Sequence, residues 1–114
     1  NLTKITGGVY LEEATLSFDA TQDWDVRASP VAKVTLTANV TFDAPSNPTT
    51  GQYISIVCIQ DGTGSRTLSL GTDYETAGGA GITLSTAASA VDVIPYFVKA
   101  SGSIQLGAVQ KAFS

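Results

Sequence analysis

Histidine and methionine are absent from this 114-residue chain, cysteine occurs once, and charged side chains make up 14% of it. Each shortage excludes something. Without histidine, Ser-His-Asp and Cys-His mechanisms have no base, and the usual histidine-bearing zinc sites have no ligand. A single cysteine, Cys58, closes no intrachain disulfide; between Val57 and Ile59 it reads as a small packed hydrophobe. The charged fraction lies well under the roughly 25% of ordinary domains. Six basic residues are scattered under a net charge of −4, so no basic stripe awaits a nucleic acid. No apolar run reaches the ~18 residues of a transmembrane helix, and no membrane partner is expected. The start, NLTKITGG, lacks the charged and apolar regions of a signal peptide. The missing initial methionine reads as a chain trimmed or excised from something longer.

What the chain does hold is strand grammar. Residues 34–42, VTLTANVTF, alternate Val34, Leu36, Ala38, Val40 and Phe42 with polar neighbours, the period-two pattern of a half-buried strand. VYLEEATLSF (9–18) reads as a strand bulged at Glu12 and Glu13. QYISIVCIQ (52–60) is apolar on both parities and reads as a central strand. RTLSL (66–70), ITL (82–84), AVDVIPYFV (90–98) and SIQLGAV (103–109) follow, the last two joined as a hairpin through SGS. Pro95 cannot donate to a ladder, so it belongs at an edge or a bulge. Residues 20–29 suit a loop wrapped over the core and anchored by the Trp24 indole. No helical periodicity survives apart from a short turn at 85–89. The expected fold is all-β: an antiparallel β-sandwich, jelly-roll-like or Ig-like, of about seven to eight short strands. It forms one domain over 1–114, with an N-terminal strand and wrapping loop at 1–30 and a core at 31–114.

Candidate sites are few. IVCIQDGTGSRTLSL (56–70) is glycine-rich, yet Gly62, Gly64 and Arg66 supply neither the lysine nor the spacing of a P-loop, and the segment that follows is strand-like. It reads as a tight hairpin, with glycine taking positive φ and Asp61 bonding the turn backbone. Ten carboxylates include Glu12, Glu13, Asp73 and Glu75 as candidates for an acid–base pair, but adjacent strand residues face opposite ways and Glu12 and Glu13 read as a charged edge. DWD at 23–25 falls short of a calcium loop. No catalytic, cofactor-binding or metal-binding residue is assigned, no cofactor is expected, and the chain reads as not an enzyme.

The run from VTFDAPSNPTTG through YISIVCIQDGTGSRTLSL to AVDVIPYFV resembles a β-rich domain of bacteriophage virion proteins, of tail-fibre, minor structural or decoration type. The matching residues are Phe42, Gln60, Asp61, Gly64, Arg66, Thr67, Val91, Asp92 and Val93, and the resemblance covers about 34–109. The chain departs from the pattern at Ser69, Leu70 and Gly71, where the family tends to carry Trp-Pro, and at Gln105 and Leu106, where it tends to carry a tryptophan. The resemblance implies a virion surface structural protein that binds other virion proteins, capsid or tail, and no catalytic residues. With no stalk or coiled coil beside the domain, a small capsid decoration or cement protein is the first expectation and a tail-fibre or receptor-binding domain the alternative. AVDVIPYFV is apolar on both parities, so Val91, Val93, Ile94, Tyr96 and Phe97, with Asp61 and Arg66 at the loop, are the expected interface of a homo-oligomer, a trimer in particular. In the receptor-binding alternative, loop aromatics such as Trp24, Tyr53 or Tyr74 are the candidate platform for a host-surface glycan, with Trp24 flanked by Asp23 and Asp25 as the specific candidate.

Overall fold

The computed structural model describes residues 4–113; residues 1–3 and 114 lie outside the described residues. Ten strands are found among them: β1 (Ala14–Thr15), β2 (Thr21–Gln22), β3 (Val31–Leu36), β4 (Val40–Phe42), β5 (Tyr53–Gln60), β6 (Leu68–Leu70), β7 (Tyr74–Glu75), β8 (Val91–Ala100), β9 (Ser103–Leu106) and β10 (Gln110–Phe113). The described residues are all-β apart from one 3-10 turn at Ala77–Gly79, and the strands pair into two sheets.

The first six strands alternate between two sheets. β1, β3 and β5 lie side by side and parallel in the larger sheet, with Ala14 opposite Ala32 and Ala32 opposite Ile56. β2, β4 and β6 do the same in the smaller one, with Thr21 opposite Thr41 and Val40 opposite Leu68. The chain therefore winds through three coils, each laying one strand on each sheet. It then crosses to the far side of the larger sheet, whose order is β1-β3-β5-β8-β9-β7. Antiparallel pairing is confined to β8, which meets β5 on one side and β9 and β10 end to end on the other.

The expected antiparallel arrangement is thus corrected to mixed sheets, and the reason is visible at two places. Residues 34–42 are two strands, not one: β3 ends at Leu36, the chain turns a corner, and β4 continues in the other sheet. Val34, Leu36, Val40 and Phe42 are all buried, so the period of two runs unbroken through a corner that it cannot reveal. Likewise residues 61–67 are a corner from β5 to β6 and not a hairpin, since β5 pairs with β3 and β8 while β6 pairs with β4. Only Ala14–Thr15 of the expected 9–18 strand pairs, and 82–84 is not a strand, although Leu84 is buried. The β8–β9 hairpin forms as expected, with Val98 opposite Ile104.

Both sheets contribute to one core. Val34, Leu36, Ile54, Ile56, Ile94, Val98 and Ile104 from the larger sheet pack with Val40, Phe42 and Leu68 from the smaller. Trp24, Tyr96, Tyr74 and Phe42 run through it as a chain of tilted rings, with successive centroids 6.2, 5.2 and 6.1 Å apart. At roughly 25 cal/mol per Å² of apolar surface, these rings are among its largest contributors.

Pro95 sits in the central strand of this sheet. Opposite it, Ser55 donates its N–H to Pro30 on the β3 side, so Pro95 turns its own backbone the other way, where Gly107 donates to its carbonyl at 2.9 Å. There β9 has ended at Leu106 and β10 has yet to begin at Gln110, so the missing N–H falls in a break in the ladder.

Candidate interaction surface

The glycine-rich corner is built around Gln60 and Asp61. Asp61 Oδ1 accepts from the N–H groups of Thr63 and Gly64, each at 3.1 Å, which closes the turn. Gly64 has φ +74, and a Cβ there would lie 2.6 Å from the Thr86 carbonyl oxygen. The corner is pressed against residues 85–90: Ser65 donates to Thr86 O and Ser89 to Asp61 O. From the other side, buried Asp92 accepts from Ser85 N at 2.7 Å and from Ala112 N at 2.9 Å. One carboxylate thereby ties the 85–90 loop and β10 to β8.

Asp61 and Arg66 meet across the base of the corner, with Arg66 Nη2 2.8 Å from Asp61 Oδ2 and Nε 3.3 Å from Oδ1. The guanidinium hydrogen bond, aided by the backbone donors of Gly64 and Thr63, holds the Asp61 carboxyl below its ordinary range against a smaller opposing effect of burial. The two side chains are half-buried and engaged with each other.

The structure divides the remaining expected interface residues between two faces. Val91, Val93 and Phe97 share the outer face of the larger sheet with Pro95, all half-buried, whereas Ile94 and Tyr96 point into the core and are buried. A partner can reach only the first group. The trio expected for a sugar does not gather. Trp24 is 1% exposed and its Nε1 donates to Ser29 O at 2.7 Å, so the indole is an internal anchor. Asp25 Oδ1 caps the turn at Arg27 and Ala28, its carboxyl held low first by the Asn47 side chain, while Asp23 is exposed.

Of the other aromatics expected in loops for a sugar, Tyr74 is buried and Tyr53 lies instead on β5, where it joins a row across the outer face that the sequence did not suggest. Tyr53 on β5 lies opposite Phe97 on β8, Phe97 opposite Gln105 on β9, and Gln105 opposite Glu75 on β7. The four make one row across four strands. Tyr53 is 77% exposed and its ring centroid stands 4.9 Å from that of Phe97. At the other end Glu75 Oε1 accepts from Ser103 Oγ at 2.5 Å, with Gln105 Nε2 at 3.5 Å. A cleft of about 690 Å³ lies beside Tyr74, Glu75, Thr76 and the glycine loop, and one of about 250 Å³ beside Tyr53, Pro95 and Phe97; both reach Gln105 and Leu106. The only available signal was the outward parity of Tyr53 in YISIVCIQ. The lateral row depends on strand order, which no local pattern carries.

Chemistry of other kinds finds little support in the geometry. Among the described residues no group of three or more His, Cys, Asp or Glu is placed to hold a metal. Cys58 is buried and its thiol is pushed up to about 12, first by burial and then by the Asp92 charge. Of the candidate carboxylates, Glu13 pairs with Lys33 at 3.5 Å and Glu75 bonds Ser103.

Two sheets around an aromatic core, with a braced corner and a surface row running from aromatic to polar, define a β-structural domain whose distinctive chemistry lies on its surface. Residues 16–103 match the family described as "Putative phage tail fibre C-terminal domain", and the chain belongs to that family. It is a structural domain of a phage virion, and that membership implies association with other virion proteins. No curated protein and no solved structure matches it.

Proposed function

We propose that the chain is a non-catalytic adhesion domain of a tail fibre, carried on the virion exterior, that associates with further copies of itself through the outer face of the larger sheet. The family's description favours the fibre over the capsid-decoration role that the sequence suggested. The observation that carries self-association is the chemistry of that face. A sheet face that meets only water alternates apolar-in with polar-out. Here the outward positions of the two central strands include Val57, Ile59, Val91 and Val93, all half-buried, clustered at the end of β5 that leads into Asp61. Burying this patch against its equivalent in a trimer removes apolar surface from water, with Asp61 and Arg66 as a polar rim.

Sedimentation velocity of the purified chain tests this. The expected result is a concentration-dependent trimer that Val93→Asp converts to monomer without loss of fold. A wild-type monomer at high concentration overturns the self-association. Gold-labelled antibody on intact particles tests the location: label on fibres is expected, and label over the capsid shell in many copies restores the decoration role.

A further inference from the structure

We infer that the row Tyr53–Phe97–Gln105–Glu75 is a binding site for a neutral glycan, an inference that rests on the fibre reading above. The row has the two halves that sugar recognition requires. Tyr53 and Phe97 present adjoining rings at 4.9 Å, an apolar platform for the C–H face of a pyranose, and Tyr53 is 77% exposed. Next along the row, the Gln105 amide offers donors and an acceptor, and the Glu75 carboxylate accepts from sugar hydroxyls. Glu75 is already oriented by Ser103, so little freedom is lost when it binds.

The surrounding shape agrees. The larger cleft, about 690 Å³, falls within the roughly 300–1,000 Å³ of ligand sites, and the smaller shares Gln105 and Leu106 with it as lining. One wall is the loop bearing Gly78, Gly79 and Gly81, all at positive φ, with open space where each Cβ would stand. The N–H groups of Gly79, Ala80 and Gly81 are taken up within the turn by Thr76 and Ala77, so this wall contributes shape. Beneath the aromatic end, Gly107 leaves the Pro95 ring uncovered, since a Cβ there would lie 3.2 Å from Pro95 Cγ.

Charge selects the ligand class. No lysine or arginine lines either cleft, and the only ionisable acid among the lining residues is Glu75. An anionic group seated in either cleft beside Glu75 would meet a carboxylate with no cation among the lining residues, exposed Lys99 following Phe97 by two residues along β8, so the site favours neutral saccharides.

Isothermal titration calorimetry of the whole chain with neutral oligosaccharides ending in glucose, galactose or N-acetylglucosamine, and with a sialylated one, tests the site. Saturable binding to at least one neutral oligosaccharide is expected, roughly tenfold weaker in Tyr53→Ala and in Gln105→Ala, unchanged in Val93→Asp, and absent for the sialylated probe. Lack of binding by all three neutral probes overturns the inference. So does wild-type affinity in Tyr53→Ala, or a Tyr53→Ala chain that loses its oligomer, which makes the row a subunit contact. Fibre labelling on particles without saccharide binding removes the site alone. Shell labelling with saccharide binding removes the fibre reading and leaves the site.

Discussion

The side chain of Gln60 pairs with the backbone of Arg66 as one strand residue pairs with another: its Oε1 accepts from Arg66 N at 3.0 Å and its Nε2 donates to Arg66 O at 2.8 Å. The same Nε2 donates to Ser85 O at 2.9 Å, so one buried amide holds the corner shut and fastens it to the neighbouring loop. Gln60→Leu keeps much of the volume and removes all three bonds. Backbone groups at Arg66 and Ser85 then lose their partner, at about 1–3 kcal/mol for each that stays buried. A loss of about 2–4 kcal/mol in urea unfolding is expected, with Gln60→Glu no milder, because a carboxylate keeps one bond and buries a charge.

Two glycines in the same corner should differ in their tolerance of a side chain. Gly64 combines positive φ with backbone packed against it on the 86–88 side, so Gly64→Val should cost about 2 kcal/mol or more. Gly62 has no atom within 4 Å of its Cβ position and no positive φ. Gly62→Ala should therefore stay within about 0.5 kcal/mol of the parent in the same measurement.

Acid sensitivity should trace in part to Asp61. Its folded carboxyl is held below the ordinary aspartate range by Arg66 and the turn donors, so the unfolded chain takes up this proton first as pH falls. The sign follows: the contribution is fully present above about pH 4 and is lost as pH drops through the lowered folded value. Thermal unfolding between pH 5 and pH 2 should show a fall in midpoint that is smaller in Asp61→Asn, which starts less stable at pH 5 because it gives up the ion pair.

Cys58 should be silent in the native protein. Burial pushes its thiol to about 12, so little thiolate exists at pH 8 and the sulfur is covered. Iodoacetamide should leave the folded chain unmodified for hours and label it once in urea. Rapid native labelling would show that β5 opens far more often than a central strand should.

Much of this was legible in the sequence. The apolar stretches at 52–60 and 90–98 are the two longest strands, β5 and β8, because eight or more residues of alternating burial demand apolar side chains at every inward position. The indole of Trp24 is an anchor, as its place among polar turn residues suggested, and Asp61 bonds the turn backbone as its Asp-Gly context suggested. The expected interface was legible only by halves. In AVDVIPYFV both parities are apolar, and nothing local says which one faces the core; pairing with β5 sends Ile94 and Tyr96 inward and leaves Val91, Val93 and Phe97 outside.

By itself the amino-acid sequence determined that the chain is built of strands, that it lacks the residues for histidine or disulfide chemistry, and that its glycine-rich loop is a turn rather than a phosphate cradle. These follow from composition and from the period of two, which depend on near neighbours alone. Tertiary structure alone decided the direction of each strand and the sheet it joins, because a corner and a hairpin use the same turn residues and preserve the same alternation. It also decided the lateral row: Tyr53, Phe97, Gln105 and Glu75 are scattered over 53 positions of sequence and become neighbours only when four strands take their registers.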